Sequence, residues 1–84
     1  MTPSERIAEY EEIASEVFIE LGISERCRCN GGENQIPHSW FVNIVCDSGL
    51  LSVSVDEDPG NPHSRNIIKN KIRAAVQNNL NAKG

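Results

Sequence analysis

The stretch WFVNIVCDSGLLSVSV, Trp40 to Val55, decides the fold of this chain. Its first half is rich in aromatic and β-branched residues, the types that suit a pleated, half-buried surface. Side chains alternate across a strand. Trp40, Val42, Ile44 and Cys46 therefore share one face, and Phe41, Asn43 and Val45 the other. Asp47-Ser48-Gly49 reads as a short hairpin loop, with Gly49 at the position that needs positive φ. The return strand runs from Leu50 to Val55, with Leu51, Val53 and Val55 on one face and Ser52 and Ser54 on the other. Such a hairpin has one apolar face, and that face needs a cover.

The covers lie on either side of it. Upstream, Thr2-Pro3-Ser4-Glu5 has the form of a capping box with proline at the first helical position. Apolar residues then recur at Ile7, Tyr10, Ala14, Val17, Phe18 and Leu21, a helical stripe, and Gly22 is placed to end it in a left-handed cap. A weaker strand is expected over Ser24 to Cys29, with Glu25, Cys27 and Cys29 on one face and Arg26 and Arg28 on the other. Asn30 to Gln35 then reads as a polar loop. Downstream, Asp56 to Gly60 breaks the sheet and Asn61-Pro62 opens a second helix. Its buried stripe is Ile68, Ile72, Ala75, Val76 and Leu80, and Asn81 to Gly84 reads as a frayed tail. The expected fold is α+β in the order α-β-β-β-α, a three-stranded antiparallel sheet with both helices packed on one face. One domain spans residues 1–84.

Length limits what such a chain can do. At 84 residues it buries roughly 60–65% of the surface its unfolded form exposes, which leaves little room for a deep cleft. No apolar run is long enough to span a membrane, and residues 1–12 hold no apolar signal core. Three cysteines, an odd number, do not suit a secreted disulfide framework, so the expected compartment is the cytoplasm. The net charge of −4 hides a split. Residues 1–58 hold all twelve acidic side chains and only Arg6, Arg26 and Arg28, a balance of −9. Residues 59–84 hold Arg65, Lys69, Lys71, Arg73 and Lys83 and no acid, a balance of +5.

That split makes two opposite rows. Glu5, Glu9, Glu12, Glu16 and Glu20 recur every three or four residues along the first helix, where like charges repel. The row is either a solvated face or a docking surface for a protein with a basic surface. His63, Ser64, Arg65 and Asn66 surround the start of the second helix, whose free N–H groups attract anions. Arg65, Lys69 and Arg73 continue along one side at intervals of four. These cations either pair with the acidic helix of the same chain or hold an external anion.

The helix-strand-strand-strand-helix order resembles the double-stranded-RNA-binding domain over about Ser4 to Leu80. Pro37-His38 followed by Phe41 stands where that family has a loop leading into its second strand. Ser64-Arg65 and Lys69 stand where it has a phosphate clamp. Ile36 replaces the family's glycine and Asn66 its second clamp lysine. The resemblance implies nucleic-acid binding through His38, His63, Ser64, Arg65, Lys69 and Arg73, by phosphate and 2′-hydroxyl contacts. In size and acidity the chain is also similar to small phage-encoded inhibitors such as anti-CRISPR proteins.

The remaining candidates are weaker. Cys27, Cys29 and Cys46, with His38 or His63, would supply four zinc ligands, but the spacing is not a zinc signature and small buried hydrophobes describe the cysteines better. No cofactor or metal is expected. Phe41 and Val45 on the outer sheet face are candidates for a homodimer contact. No phosphate loop, nucleophile elbow or paired-carboxylate motif stands out. The expected function is a non-enzymatic protein-binding regulator or inhibitor that docks its acidic helix on a basic partner. The alternative is a nucleic-acid-binding module working through the basic second helix.

Overall fold

The computed structural model describes residues 3–35, 39–47, 49–57, 60–61 and 63–83, with backbone alone at residues 3, 82 and 83. Helix α1 spans Pro3–Leu21, strands β1, β2 and β3 span Cys27–Glu33, Ser39–Cys46 and Gly49–Asp56, and helix α2 spans Arg65–Lys83. The strands form an antiparallel sheet in the order β1-β2-β3. This is the expected α+β order. Trp40, Val42, Ile44, Val53 and Val55 are buried from one face of the sheet, while Val45, Leu50, Ser52 and Ser54 on the other face are exposed. Both helices therefore cover the same face, α1 over β1 and β2 and α2 over β3.

The core follows the two helical stripes. Tyr10, Ala14, Val17 and Phe18 from α1 meet Ile68, Ile72 and Val76 from α2. Ile13 and Ile23 join them, with Ile13 fully buried although it lies outside the expected stripe. Gly22 ends α1 at φ 71°, as expected. Ile23 N–H reaches back to Phe18 C=O at 2.9 Å and Gly22 N–H to Ile19 C=O at 3.1 Å. Phe18 and Ile23 are both buried, which completes a Schellman cap with its apolar contact. Thr2, the expected N-cap of α1, lies outside the described residues.

The first strand differs from expectation. Ser24–Arg26 form a turn in which the Ile23 carbonyl accepts from both Arg26 and Cys27 N–H, so β1 starts at Cys27. It then runs through Asn30–Glu33, the expected loop. The glycines there serve close approach instead of a turn. A Cβ on Gly31 would stand 3.1 Å from Glu11 Cγ and 3.3 Å from Ile7 Cγ2, so glycine lets α1 press onto the strand. A Cβ on Gly32 would run into the Phe41 ring, which covers that position across the sheet.

Two further readings are corrected in α2. The helix opens at Arg65, not at Asn61-Pro62. Ser64 is its N-cap, its Oγ accepting from Ile67 N–H at 3.4 Å and its carbonyl from Ile68 N–H at 3.2 Å. At the other end the helix continues to Lys83, because half-buried Leu80 still packs on the core there, so residues 81–83 are not a frayed tail.

The ends of the sheet are tied. At one, Cys27 and Cys46 face each other in register and form a disulfide. The odd cysteine count therefore concealed one pair and one free thiol, Cys29. At the other, buried Ser39 donates to Asp56 Oδ1 at 2.5 Å and accepts from Asn34 Nδ2 at 2.8 Å, joining β2 to β3 and to the residue that follows β1. Among the described residues, no helix is long and apolar enough to cross a membrane.

Candidate interaction surfaces

The two charged rows meet each other. α1 and α2 lie side by side, and Arg65 bonds Glu12 at 3.1 Å and Glu16. Lys69 reaches Glu16 at 3.5 Å and Glu20, and Arg73 reaches Glu20. The cations stagger between the acids and build a ladder across the helix pair. Lys69 and Arg73 hold the Glu20 carboxyl below its ordinary range. The repulsion expected along α1 is relieved by the opposing helix, as one of the two readings for Arg65, Lys69 and Arg73 required. Glu9 pairs with Arg6 at 3.1 Å. Glu5 also has an interaction partner.

His63 and Ser64 serve the chain itself. Ser64 caps α2. His63 N–H donates to Glu57 Oε2 at 2.8 Å, its carbonyl accepts from Arg6 Nη2 at 3.1 Å, and its Nδ1 stands 3.9 Å from Glu57 Oε2. His38 lies outside the described residues, so the expected loop contact has no structural counterpart. Phe41 is half-buried by its contact with Gly32, while Val45 is 53% exposed. Val45 pairs in register with Leu50, which is 70% exposed, so the apolar end of the outer face is Val45 with Leu50 and not Phe41 with Val45.

The densest polar cluster was not anticipated. Glu57 follows β3, is almost wholly buried, and takes the guanidinium of Arg6 through both carboxylate oxygens. Arg6 also stacks over the Tyr10 ring at 5.2 Å. Burial pushes the Glu57 carboxyl up, but hydrogen bonds from Arg6 and His63 N–H outweigh it, and the net displacement is downward. Tyr10 is pushed upward, first by burial and then by the charge of Glu57. Tyr10 OH, Trp40 Nε1 and His63 Nδ1 are buried here, and among the described residues none has a partner at full hydrogen-bond geometry, although Tyr10 OH and Trp40 Nε1 both face the Glu57 carboxylate. The sequence held one signal for this cluster: Arg6 is the single basic residue before Arg26.

Two of the three cysteine sulfurs are joined to each other. Cys29 Sγ donates to the Glu11 carbonyl at 3.5 Å and lies 3.9 Å from Ser15 Oγ. Burial, more than any neighbour, raises its pKa, which keeps it a thiol and a poor nucleophile. No protein-family model, curated protein or solved structure matched the chain.

Proposed function

We propose that the chain is a non-enzymatic protein-binding regulator or inhibitor, of the small anti-defence kind that anti-CRISPR proteins represent. It acts by covering part of a partner protein that carries a basic surface. The observation that supports this most is the outer face of the sheet. Neither helix covers it, and it presents Val45 and Leu50 beside Asn43, Ser52 and Ser54. An apolar patch in a polar frame on a flat surface suits a protein partner better than a small molecule. The excess of acid over base favours a basic partner. Glu12, Glu16 and Glu20 of the acidic row can join the contact only where the partner's cations displace Arg65, Lys69 and Arg73, and Glu9 only where they displace Arg6. A site of action inside a cell belongs to the same reading; Cys27 and Cys46 would then face each other as thiols wherever the compartment is reducing.

The test is affinity capture with three baits: wild type, Val45→Lys with Leu50→Lys, and Glu9→Lys with Glu16→Lys. A partner held by wild type and lost only from the first variant supports the sheet face. Loss only from the second returns the contact to the acidic helix.

The nucleic-acid reading keeps one observation in its favour, the placing of Ser64, Arg65 and Lys69 together at the start of α2 in an α-β-β-β-α chain. Against it, glutamates already occupy those cations. Fluorescence anisotropy of an RNA duplex of about 16 base pairs decides it, since phosphate contacts weaken steeply as salt rises. Salt-sensitive binding would replace the protein-binding reading.

A further inference from the structure

The backbone direction of β3 follows from the hairpin. Cys46 pairs with Gly49 across a two-residue connection, and the pair that closes such a turn is the hydrogen-bonded one. Two independent observations agree. Cys27 and Cys46 are 4.2 Å apart at Cα, the close spacing of a non-bonded pair, so the peptide groups of Cys46 point to β3. Gly31, in the same phase as Cys27, sends its N–H off the sheet to Glu11. On β3, therefore, Gly49, Leu51, Val53 and Val55 bond β2, and the peptide groups of Leu50, Ser52 and Ser54 point outward from the edge. None of the described turn, loop or cap hydrogen bonds engages those three groups.

This edge lacks the usual protections. Leu50 to Val55 holds no charge and no proline, and the register runs without a bulge from Cys46–Gly49 to Ser39–Asp56. We propose that β3 pairs with β3 of a second copy of this chain, antiparallel about a two-fold axis at Ser52. The proposal stands apart from the sheet-face reading above. A two-fold contact must be complementary to itself, and this strand is. With Ser52 opposite Ser52, Leu50 meets Ser54 of the other copy on the outer face, and Leu51 meets Val53 on the core face. Apolar then faces apolar under the helices, and no like charges oppose within Leu50–Val55. Ile67, 53% exposed, is a further uncovered apolar side chain, on α2. Arg65, Lys69 and Arg73 turn one flank of α2 to α1. Ile67 lies on the opposite side of the helix, one turn before exposed Lys71.

Sedimentation equilibrium over a rising concentration series tests this. Wild type should move from the one-chain to the two-chain mass. Ser52→Pro should stay at the one-chain mass with unchanged circular dichroism, because proline removes an outward N–H and leaves the β2–β3 ladder whole. Wild type that stays single throughout, or Ser52→Pro that associates like wild type, overturns the proposal. Should Ser52→Pro not fold, hydrogen exchange of wild type decides. Protection of the Leu50, Ser52 and Ser54 amides that grows with concentration supports the pairing. Equal exchange at low and high concentration, or protection that appears only on adding an extended peptide, overturns it.

Discussion

The two edges of the sheet are treated differently, although each belongs to a strand of seven or eight residues. β1 is guarded. Its outward N–H groups at Cys27 and Gly31 are taken by the Ile23 carbonyl and the Glu11 carboxylate. Its start is bonded covalently to β2, and its glycines admit α1 and the Phe41 ring at close range. β3 is regular and uncharged along Leu50–Val55, and none of the described turn, loop or cap bonds engages its outward groups there. It is held by its ladder to β2, by the core side chains beneath it, and by Glu57 just beyond its end. An edge that is costly to leave bare is guarded on one side and left bare on the other. The lesson is that a bare edge in a chain able to guard one is a feature to be explained by use.

The largest expected effect comes from the tie beyond β3. Arg6→Ala leaves the Glu57 carboxylate buried without its cation, a change that costs about 3–5 kcal/mol. Urea unfolding at neutral pH measures it. The pH dependence supplies the sign. In the wild type the folded Glu57 carboxyl is displaced downward, so its contribution is present above the unfolded value and is lost as pH falls through the lower folded value. In Arg6→Ala, burial acts without its main opponent and pushes the carboxyl up. Acid should then narrow the stability gap between the variant and wild type, and a gap that widens toward low pH would refute the assignment.

The ties of β1 come next. Cys27 and Cys46 close a loop of 19 residues, for which chain entropy gives about 3 kcal/mol. Melting of Cys27→Ala with Cys46→Ala, against oxidised wild type, checks that figure. Glu11→Ala frees the Gly31 N–H at a cost of about 1 kcal/mol, because water can reach an edge group and replace the carboxylate in part. Glu11→Gln keeps an acceptor and should recover most of the loss. If Glu11→Ala matches wild type, the guard on β1 is geometric only, and the contrast with β3 is weaker than drawn.

How much of this was legible depended on whether a residue's role was local. The hairpin from Trp40 to Val55 and the stripes of both helices repeat at the period of their own element, and sequence alone reports that. Gly31 and Gly32 failed as signals because glycine serves both turns and close contacts. What selects the contact here is Ile7, Glu11 and Phe41, all distant in sequence. The disulfide was hidden by parity: three thiols argue against pairing until register places Cys27 opposite Cys46. The charged rows were visible as rows, but their mutual pairing was one of two open readings until α1 and α2 were seen side by side. Glu57 read as one acid in a sheet-breaking run, and only burial beside Arg6 distinguishes it from Asp56.

The smallest expected effect separates the covers from the ties. α1 lies over β1 and α2 over β3, so the ladder from Glu12 to Arg73 joins the guarded side of the molecule to the open one. Its members are a fifth to two-thirds exposed, and water and salt screen such pairs. Holding long side chains in one geometry also takes back part of what attraction gives. Lys69→Gln should therefore lower the melting temperature only slightly at low ionic strength, and the difference should vanish at high salt. A large loss that persists in salt would mean that the ladder carries the open side. A small, screened loss leaves that task to Ile68, Ile72 and Val76 beneath α2 and to Glu57 at its entrance, and lets the β3 edge meet a second strand without disturbing what holds it.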